Sequence, residues 1–277
     1  VTIEWADLSA ADLPAIVELA RRCMAHDGGL QATTSPSFLE RRYTAGPAVG
    51  AFEDGRLIAC GAVRPVGETS AATGLVDPDH RGRGLGSDLL DRLTKEPVRL
   101  ETESLTPQAH ALFVARGFRQ TFAEDVYRLD LSRPLPEVPL PDGLEIEEWS
   151  PDTEAAFYTA YSASFADRPG FPGWSQAEWV DWLVDDEFVP GASLVARAGG
   201  MPVGFVTCAA GFLVQVGAVP EWRRRGLAKA LAVAALDRMR ADGAGEAFLD
   251  INVNNPASAA LFQGLGFEVI ARRARYE

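Results

Sequence analysis

Apolar positions along this chain run through two similar cycles. In the second, apolar runs over Leu194 to Ala198, Met201 to Ala209 and Phe212 to Val219 are parted by Gly199-Gly200 and Ala210-Gly211, which predicts three strands joined by tight turns. A helix from Leu227 to about Ala241, a strand over AFLDINV (Ala247 to Val253), a helix from Pro256 to Leu265 and a last strand ending near Tyr276 follow. Both cycles open on a short strand, TIEW (Thr2 to Trp5) and LEIEEW (Leu144 to Trp149), that leads into a helix. Ser9 and Asp12 offer an N-terminal cap in the first, ahead of the apolar face Leu13, Ile16, Val17, Ala20, Met24. In the second, Ser150 is placed to cap, Pro151 to take the first helical position, and Phe157, Tyr158, Tyr161 and Phe165 to supply the stripe. This order predicts a mixed sheet with helices on its faces, an α/β or α+β fold.

The cycles are a true repeat. VDPDHRGRGLG (Val76 to Gly86) recurs as AVPEWRRRGLA (Ala218 to Ala228) at an offset of 142, and TPQAHALFVARGF (Thr106 to Phe118) recurs as NPASAALFQGLGF (Asn255 to Phe267) at 149. Seven residues, about two helical turns, are therefore missing from the first copy between the motifs. The first copy also reads as having the shorter fourth strand. SRPLPEVPLPDG (Ser132 to Gly143) holds four prolines and no periodic pattern, a semi-rigid linker. Two tandem domains are expected, residues 1–133 and 143–277, with 134–142 as the proline-rich connection.

Composition narrows the partners. A chain of 277 residues with 47% apolar and 23% charged residues can bury a full core without staples, so disorder and small disulfide scaffolds are excluded. The net charge of -13 opposes nucleic acid or an anionic membrane as main partner and favours a cationic one. Cys23, Cys60 and Cys208 are scattered, with no metal-ligand spacing, which suggests a reduced, cytoplasmic, metal-free protein. No export signal is evident in the acidic opening segment. The uncharged stretch Ala198 to Pro220 is 23 residues long, but its grouped glycines suit buried strands better than a membrane span.

The candidate chemistry lies in the repeated loop. Arg81-Gly82-Arg83-Gly84-Leu85-Gly86 and Arg223-Arg224-Arg225-Gly226-Leu227-Ala228 each follow an apolar strand and open a helix. Small residues there let backbone N–H groups approach an anion, and the helix N-terminus and arginines add positive charge, so the loop suits pyrophosphate. Neither a P-loop nor a Rossmann fingerprint is present.

With these paired motifs the sequence resembles the GNAT acetyltransferase superfamily, whose hallmark is [QR]-x-x-G-x-[GA] after the fourth strand, then an asparagine, a helix and L-G-F. The resemblance covers almost the whole chain, once per half. It implies a mixed seven-stranded sheet in each half, splayed between its fourth and fifth strands around acetyl-CoA. The backbone amides of Arg224, Arg225, Gly226, Leu227, Ala228 and Lys229 would hold pyrophosphate, and strand backbone at Gly217, Ala218 and Val219 would hold the pantetheine arm. Arg81 to Gly86 would do the same work in a first domain that is degenerate, structural or CoA-retaining.

Asn255 keeps the family asparagine where the first copy has Thr106, so catalysis is expected in the second domain. The family tyrosine that protonates the leaving thiolate falls at Phe262 and Phe113, and Gln215 is the only strongly polar side chain of the second copy's fourth strand. Tyr161 or Tyr158 is the candidate replacement acid. His26, His80 and His110 form no triad in sequence, and Cys208 reads as a buried apolar residue. Trp174, Trp179 and Trp182 lie where the family forms its acceptor wall. From Glu137 to Glu187 thirteen acids face one base, Arg168, a field that would favour a cationic acceptor; Asp181, Asp185 and Asp186 are its best contacts. The function implied is transfer of an acyl group, chiefly acetyl, to the primary amine of a small molecule or peptide, without metal, nucleic acid or membrane. A non-catalytic acyl-CoA sensor is the alternative, and the oligomeric state stays open.

Overall fold

The structure, a computed structural model, describes residues 2–277. Two compact units emerge. The first comprises residues up to Val126 with Ile251–Asn255 and Val269–Glu277; the second comprises Tyr127–Asp250 and Pro256–Glu268. Units and sequence halves therefore differ at the C-terminus, where the last strand groups with the first unit.

The first unit is built from β1 (Glu4–Asp7), α1 (Leu13–Asp27), α2 (Pro36–Tyr43), β2 (Ala48–Glu53), β3 (Arg56–Val66), β4 (Thr69–Val76), α3 (Leu85–Leu93), β5 (Arg99–Thr102) and α4 (Pro107–Ala115), followed by β6 (Gln120–Asp130), of which residues to Val126 belong here. Its strands run in the order β1-β2-β3-β4-β5-β12, where β12 is Glu268–Tyr276. The second unit holds β7 (Leu144–Glu148), α5 (Glu154–Phe165), α6 (Gln176–Leu183), β8 (Leu194–Ala198), β9 (Met201–Ala209), β10 (Phe212–Ala218), α7 (Leu227–Ala241), β11 (Glu246–Asn252) and α8 (Pro256–Gln263), with β7-β8-β9-β10-β11 adjacent in that order. No helix of the described residues is long and apolar enough to cross a membrane.

The repeat survives in backbone detail. Asp54-Gly55 (φ 50° and 77°) and Gly199-Gly200 (54° and 84°) make equivalent two-residue hairpin turns, whose paired positive φ matches the twist of the flanking strands. In each unit the fourth and fifth strands are parallel and quickly part. β4 and β5 pair only at Ala71↔Arg99 and Ala72↔Leu100, and β10 and β11 only at Phe212↔Phe248. The splay expected from the sequence is present twice.

Several local expectations need correction. Among the described residues each repeat contributes six strands, not seven, because Gln120–Asp130 and Glu268–Tyr276 contain no Gly, Pro or Asn at which a hairpin could fold back and so run on as single long strands. The fourth strand is not shorter in the first copy: β4 has eight residues and β10 seven. Most of the seven-residue deletion falls in the helix that follows, which is six residues shorter, nine in α3 against fifteen in α7. Ser9 does form a capping box with Asp12, but around a 3-10 turn, and Ser150 does not cap α5. Its N–H and hydroxyl bond instead to Thr153 Oγ1, at 2.8 and 3.2 Å, in a turn that delays the helix to Glu154.

Candidate functional site

The phosphate-type loops adopt one conformation in both units. Gly82 (φ 78°) and Gly84 (φ 87°) are left-handed, as are Arg224 (φ 59°) and Gly226 (φ 82°). Gly84 and Gly226 are the N-caps of α3 and α7, with no side chain satisfying the first-turn amides. A Cβ at Gly82, Gly84 or Gly226 would meet nothing within 4 Å, so the loop backbone faces open space. Free first-turn N–H groups beneath open space are what a pyrophosphate needs.

Within the two loops, Arg224 is the one residue that holds this conformation against its own Cβ. Left-handed backbone costs an L-residue ~1–2 kcal/mol, and glycine gives back ~0.5–1 kcal/mol through its freer unfolded chain. Arg224→Gly, which copies Gly82, is expected to stabilise the second unit by ~0.5–1 kcal/mol. A thermal melt showing equal or lower stability would contradict this.

The leading arginine of each loop does not reach for an anion. Arg81 donates two hydrogen bonds to Asp27, at 2.7 and 2.6 Å, and Arg223 donates two to Asp167, at 2.6 and 2.9 Å. Each therefore fastens the loop to the end of the helix that crosses its sheet. Burial raises the Asp27 carboxyl, and the Arg81 bonds outweigh it, leaving it below the usual range. Arg83 is spent on Glu53 at 2.6 Å, and Arg225 lies over the Trp222 ring at 5.2 Å. Leu85 and Leu227 are buried, and Ala228 and Lys229 occupy the first turn of α7.

The first unit contains a cleft of about 420 Å³ that joins its loop to the interior. Gly82, Gly84 and Gly86 line one end, the parting strands β4 and β5 the middle, and α1, α2 and α4 the rest, with Arg42, Glu101 and Glu103 among the lining side chains. Thr106, the counterpart of Asn255, lines it too while capping α4 through Ala109 N–H at 3.1 Å, and so does Phe113. Cys23 is also on this wall, and burial pushes its thiol up to about 12. It therefore stays protonated at neutral pH and makes a poor nucleophile.

Burial raises the Glu101 carboxyl, and the Arg42 and Arg64 guanidiniums with Arg99 outweigh that effect, holding it below its ordinary value of 4.5. A depressed folded pKa stabilises above the unfolded value, and the contribution is lost as pH falls through the folded one. Glu101→Gln should thus be less stable than the parent at pH 7, with the gap closing below about pH 4.5, a window set by the ordinary value. A gap in urea midpoints that stays constant from pH 7 to 3 would refute this.

The residues singled out in the second unit lie differently. Tyr161 is 2% exposed and stacks on the fully buried Trp179 at 4.7 Å, and Gln215 accepts the Trp179 indole N–H at 3.1 Å. Burial raises the Tyr161 hydroxyl, and neighbouring Tyr158 adds to it. Tyr158 donates to the Trp174 carbonyl at 2.8 Å. These aromatics, with Phe157 and Phe205, form one packed cluster. Phe262 is buried edge-on against Phe267 at 5.4 Å. Gly217 pairs with Phe205 across the sheet, Ala218 with Gly204, and the Val219 N–H donates to Val203. Asn255, by contrast, groups with the first unit. Trp182 is half exposed, and Asp181, Asp185 and Asp186 all face outward.

The Arg42, Glu101 and Glu103 cluster was missed in the sequence, because these residues meet only when α2 and β5 come together. One signal was available: Arg99, Leu100, Glu101 and Thr102 alternate along β5, which puts Arg99 and Glu101 on one face, with Glu103 just beyond its end.

Comparison with known proteins agrees with this geometry. Residues 146–267 match the Acetyltransferase (GNAT) family, and residues 46–120 match an Acetyltransferase (GNAT) domain. A protein named mycothiol acetyltransferase from Thermobispora bispora is 30% identical, over 92% of both chains. One of the same name from Thermomonospora curvata is 26% identical over 98% of this chain and 95% of its own. Among solved structures, a GCN5-related N-acetyltransferase from Sphaerobacter thermophilus superposes with a TM-score of 0.76 at 24% identity, covering 99% of this chain and 94% of the other. A tandem GNAT protein from the clavulanic acid biosynthesis pathway gives 0.61 at 19% identity, covering 99% and 98%.

Proposed function

Because the chain belongs to the GNAT acetyltransferase family, we propose that it is an enzyme that moves the acetyl group of acetyl-CoA onto the primary amine of a small-molecule or peptide acceptor, with the thioester held in the first unit. The observation that carries this reading is the first unit's cleft, which runs without interruption from the open glycine loop to polar side chains between the splayed strands. Pyrophosphate would sit on the amides of Gly84 to Ser87, and the pantetheine arm would follow β4 between Thr73 and Val76, where β5 has parted from it.

The step is direct. The amine nitrogen bonds to the acyl carbon, the C–S bond breaks, and the ammonium proton passes to solvent or to the departing thiolate. No covalent enzyme intermediate is invoked, in keeping with the protonated Cys23. Phe113 occupies the place of a phenolic acid. Its absence is tolerable, since a thiolate is a weak base with an ordinary pKa near 8.5 and general acid catalysis contributes ~10²- to 10⁴-fold. Positioning would carry most of the rate.

A second reading, that turnover resides in the second unit as the asparagine and the fuller family match suggest, has one observation in its favour. β10 has a register shift between Leu213 and Gln215, absent from the β3–β4 ladder, that would turn a strand amide outward. The carboxylates from Glu137 to Glu187 would then favour a cationic acceptor. Some of these are already committed, with Glu147 on Arg197, Glu148 on Arg238 and Asp167 on Arg223. CoA release measured over a panel of amines, together with calorimetry of acetyl-CoA binding, tests the proposal. Tight binding with no release from any amine would favour an acyl-CoA sensor.

A further inference from the structure

The middle of the first unit's cleft holds a phenol that the proposed reaction leaves unused. Tyr43 is the last residue of α2, is 4% exposed and lines the cleft, as does Thr73 of β4, the side chain with which its hydroxyl interacts. Thr73 lies one residue beyond the last β4–β5 pair, Ala72↔Leu100, and so stands where the two strands begin to part. The repeat offset of 142 makes it the counterpart of Gln215. In the second unit that amide accepts the indole N–H of the fully buried Trp179 at 3.1 Å. In the first unit a shorter side chain meets a phenol, and both border the open cleft.

Several other donors on the cleft's lining are already committed to the backbone. Cys23 donates to the Val76 carbonyl at 3.4 Å, Thr33 to that of Leu30 at 2.7 Å, Thr34 to that of Gln31 at 2.9 Å and Ser104 to that of Asp27 at 3.2 Å. The Tyr43 hydroxyl donates to no carbonyl or carboxylate among the described residues, whereas Tyr158 in the second unit donates to the Trp174 carbonyl. Burial raises the Tyr43 phenol well above its ordinary value of 10.0, nearby Cys60 adds to the effect, and Thr73 opposes it. The phenol therefore keeps its proton at neutral pH. Such a donor matters because Leu39, Leu75 and Leu100 line the same cleft, and a thiolate that leaves into apolar surroundings without a hydrogen bond is costly.

We infer that Tyr43 is a catalytic residue of the first unit, giving a hydrogen bond and then its proton to the departing CoA sulfur, with Thr73 orienting its hydroxyl. This rests on the placement of acetyl-CoA in the first unit: with pyrophosphate on Gly84 to Ser87 and the arm running back along β4 from Val76, the thioester end falls at Thr73. As the amine nitrogen bonds to the acyl carbon, the C–S bond breaks and its electron pair stays on sulfur, which takes the phenolic proton and leaves as the thiol. The phenolate oxygen then takes the proton shed by the acylated nitrogen. The phenol is restored, and no free thiolate forms in the cleft.

The test takes the amine that gives the parent its fastest CoA release and measures single-turnover acetyl transfer in H2O and D2O for the parent, Tyr43→Phe, Thr73→Val and Thr73→Ser. Acetyl-CoA affinity is measured separately by calorimetry, and folding by thermal melt. Tyr43→Phe keeps the ring, so it should melt close to the parent and bind acetyl-CoA nearly as well, yet lose ~10²-fold or more in rate, as expected for a missing general acid. Its slowing in D2O should be smaller than the parent's. Thr73→Val should lose part of the rate, and Thr73→Ser should keep most of what the valine loses. A Tyr43→Phe rate near the parent's, an unchanged solvent isotope effect, or no CoA release by the parent with any amine overturns the inference. Failure of the underlying placement is distinguishable, because acetyl-CoA affinity would then be insensitive to obstruction of the first loop, a sensitivity that failure of the Tyr43 assignment alone leaves intact.

Discussion

Gly86→Phe is expected to weaken acetyl-CoA binding by ~100-fold or more, ~2.7 kcal/mol, and to abolish most turnover. Gly86 is the second residue of α3 and lines the cleft, and a Cβ added there would lie 3.3 Å from Leu112 Cδ2 on the opposite wall. Its backbone is helical, so substitution carries no left-handed strain, unlike Gly84 at φ 87°. A ring at this point must either fill the space above the first-turn amides or displace Leu112. Either outcome obstructs the phosphate cradle. Gly86→Ala provides the control, because Ala228 is its natural counterpart, and should bind nearly as the parent does. Ala228→Phe makes the matching obstruction in the second unit. Should Ala228→Phe destroy turnover while Gly86→Phe spares it, the reaction belongs to the second unit.

Trp179→Ala is expected to destabilise the second unit by ~3–5 kcal/mol, the range for deleting a buried aromatic, and to shift its urea midpoint accordingly. Trp179 is fully buried, stacks on Tyr161, meets Trp149 at 5.8 Å and Phe205 at 6.3 Å, and holds Gln215. Its loss leaves both a cavity and an amide without its donor. Against a total stability of ~5–15 kcal/mol this approaches global unfolding. Tyr161→Phe keeps the stack and removes only a hydroxyl, so it should change stability by ~0.5 kcal/mol or less. If that variant lost ~10²-fold in kcat, Tyr161 would be restored as general acid.

β8, β9 and α7 fall where the pattern put them because glycine pairs such as Gly199-Gly200 set boundaries that no tertiary contact needs to supply. The loops were equally legible, since Gly84 and Gly226 announce a left-handed turn by residue type. That the first unit opens a cleft was not legible. Tyr161 and Trp179 satisfy a helical stripe whether they wall a ligand site or pack on each other, and only Gln215 and Phe205, brought in from the sheet, decide between the two. Arg42 and Glu101 lie 59 residues apart, and neither helix nor strand period relates them. The partner of the last strand was hidden for the same reason: its alternation fits either unit's fifth strand.

That last strand places the first unit on a timetable. β12 pairs with β5 at Ala274↔Thr102 through Tyr276↔Leu100, and Tyr276 is fully buried there, its hydroxyl 2.6 Å from His110 Nδ1. During synthesis at ~5–20 residues per second, residues of the first repeat leave the ribosome with β5 unpaired on that side. They wait until residue 276, another 166 residues after His110, has emerged. An open strand edge is a site for pairing with other chains, so the nascent first unit should depend on chaperones for several seconds longer than a self-contained domain of its length.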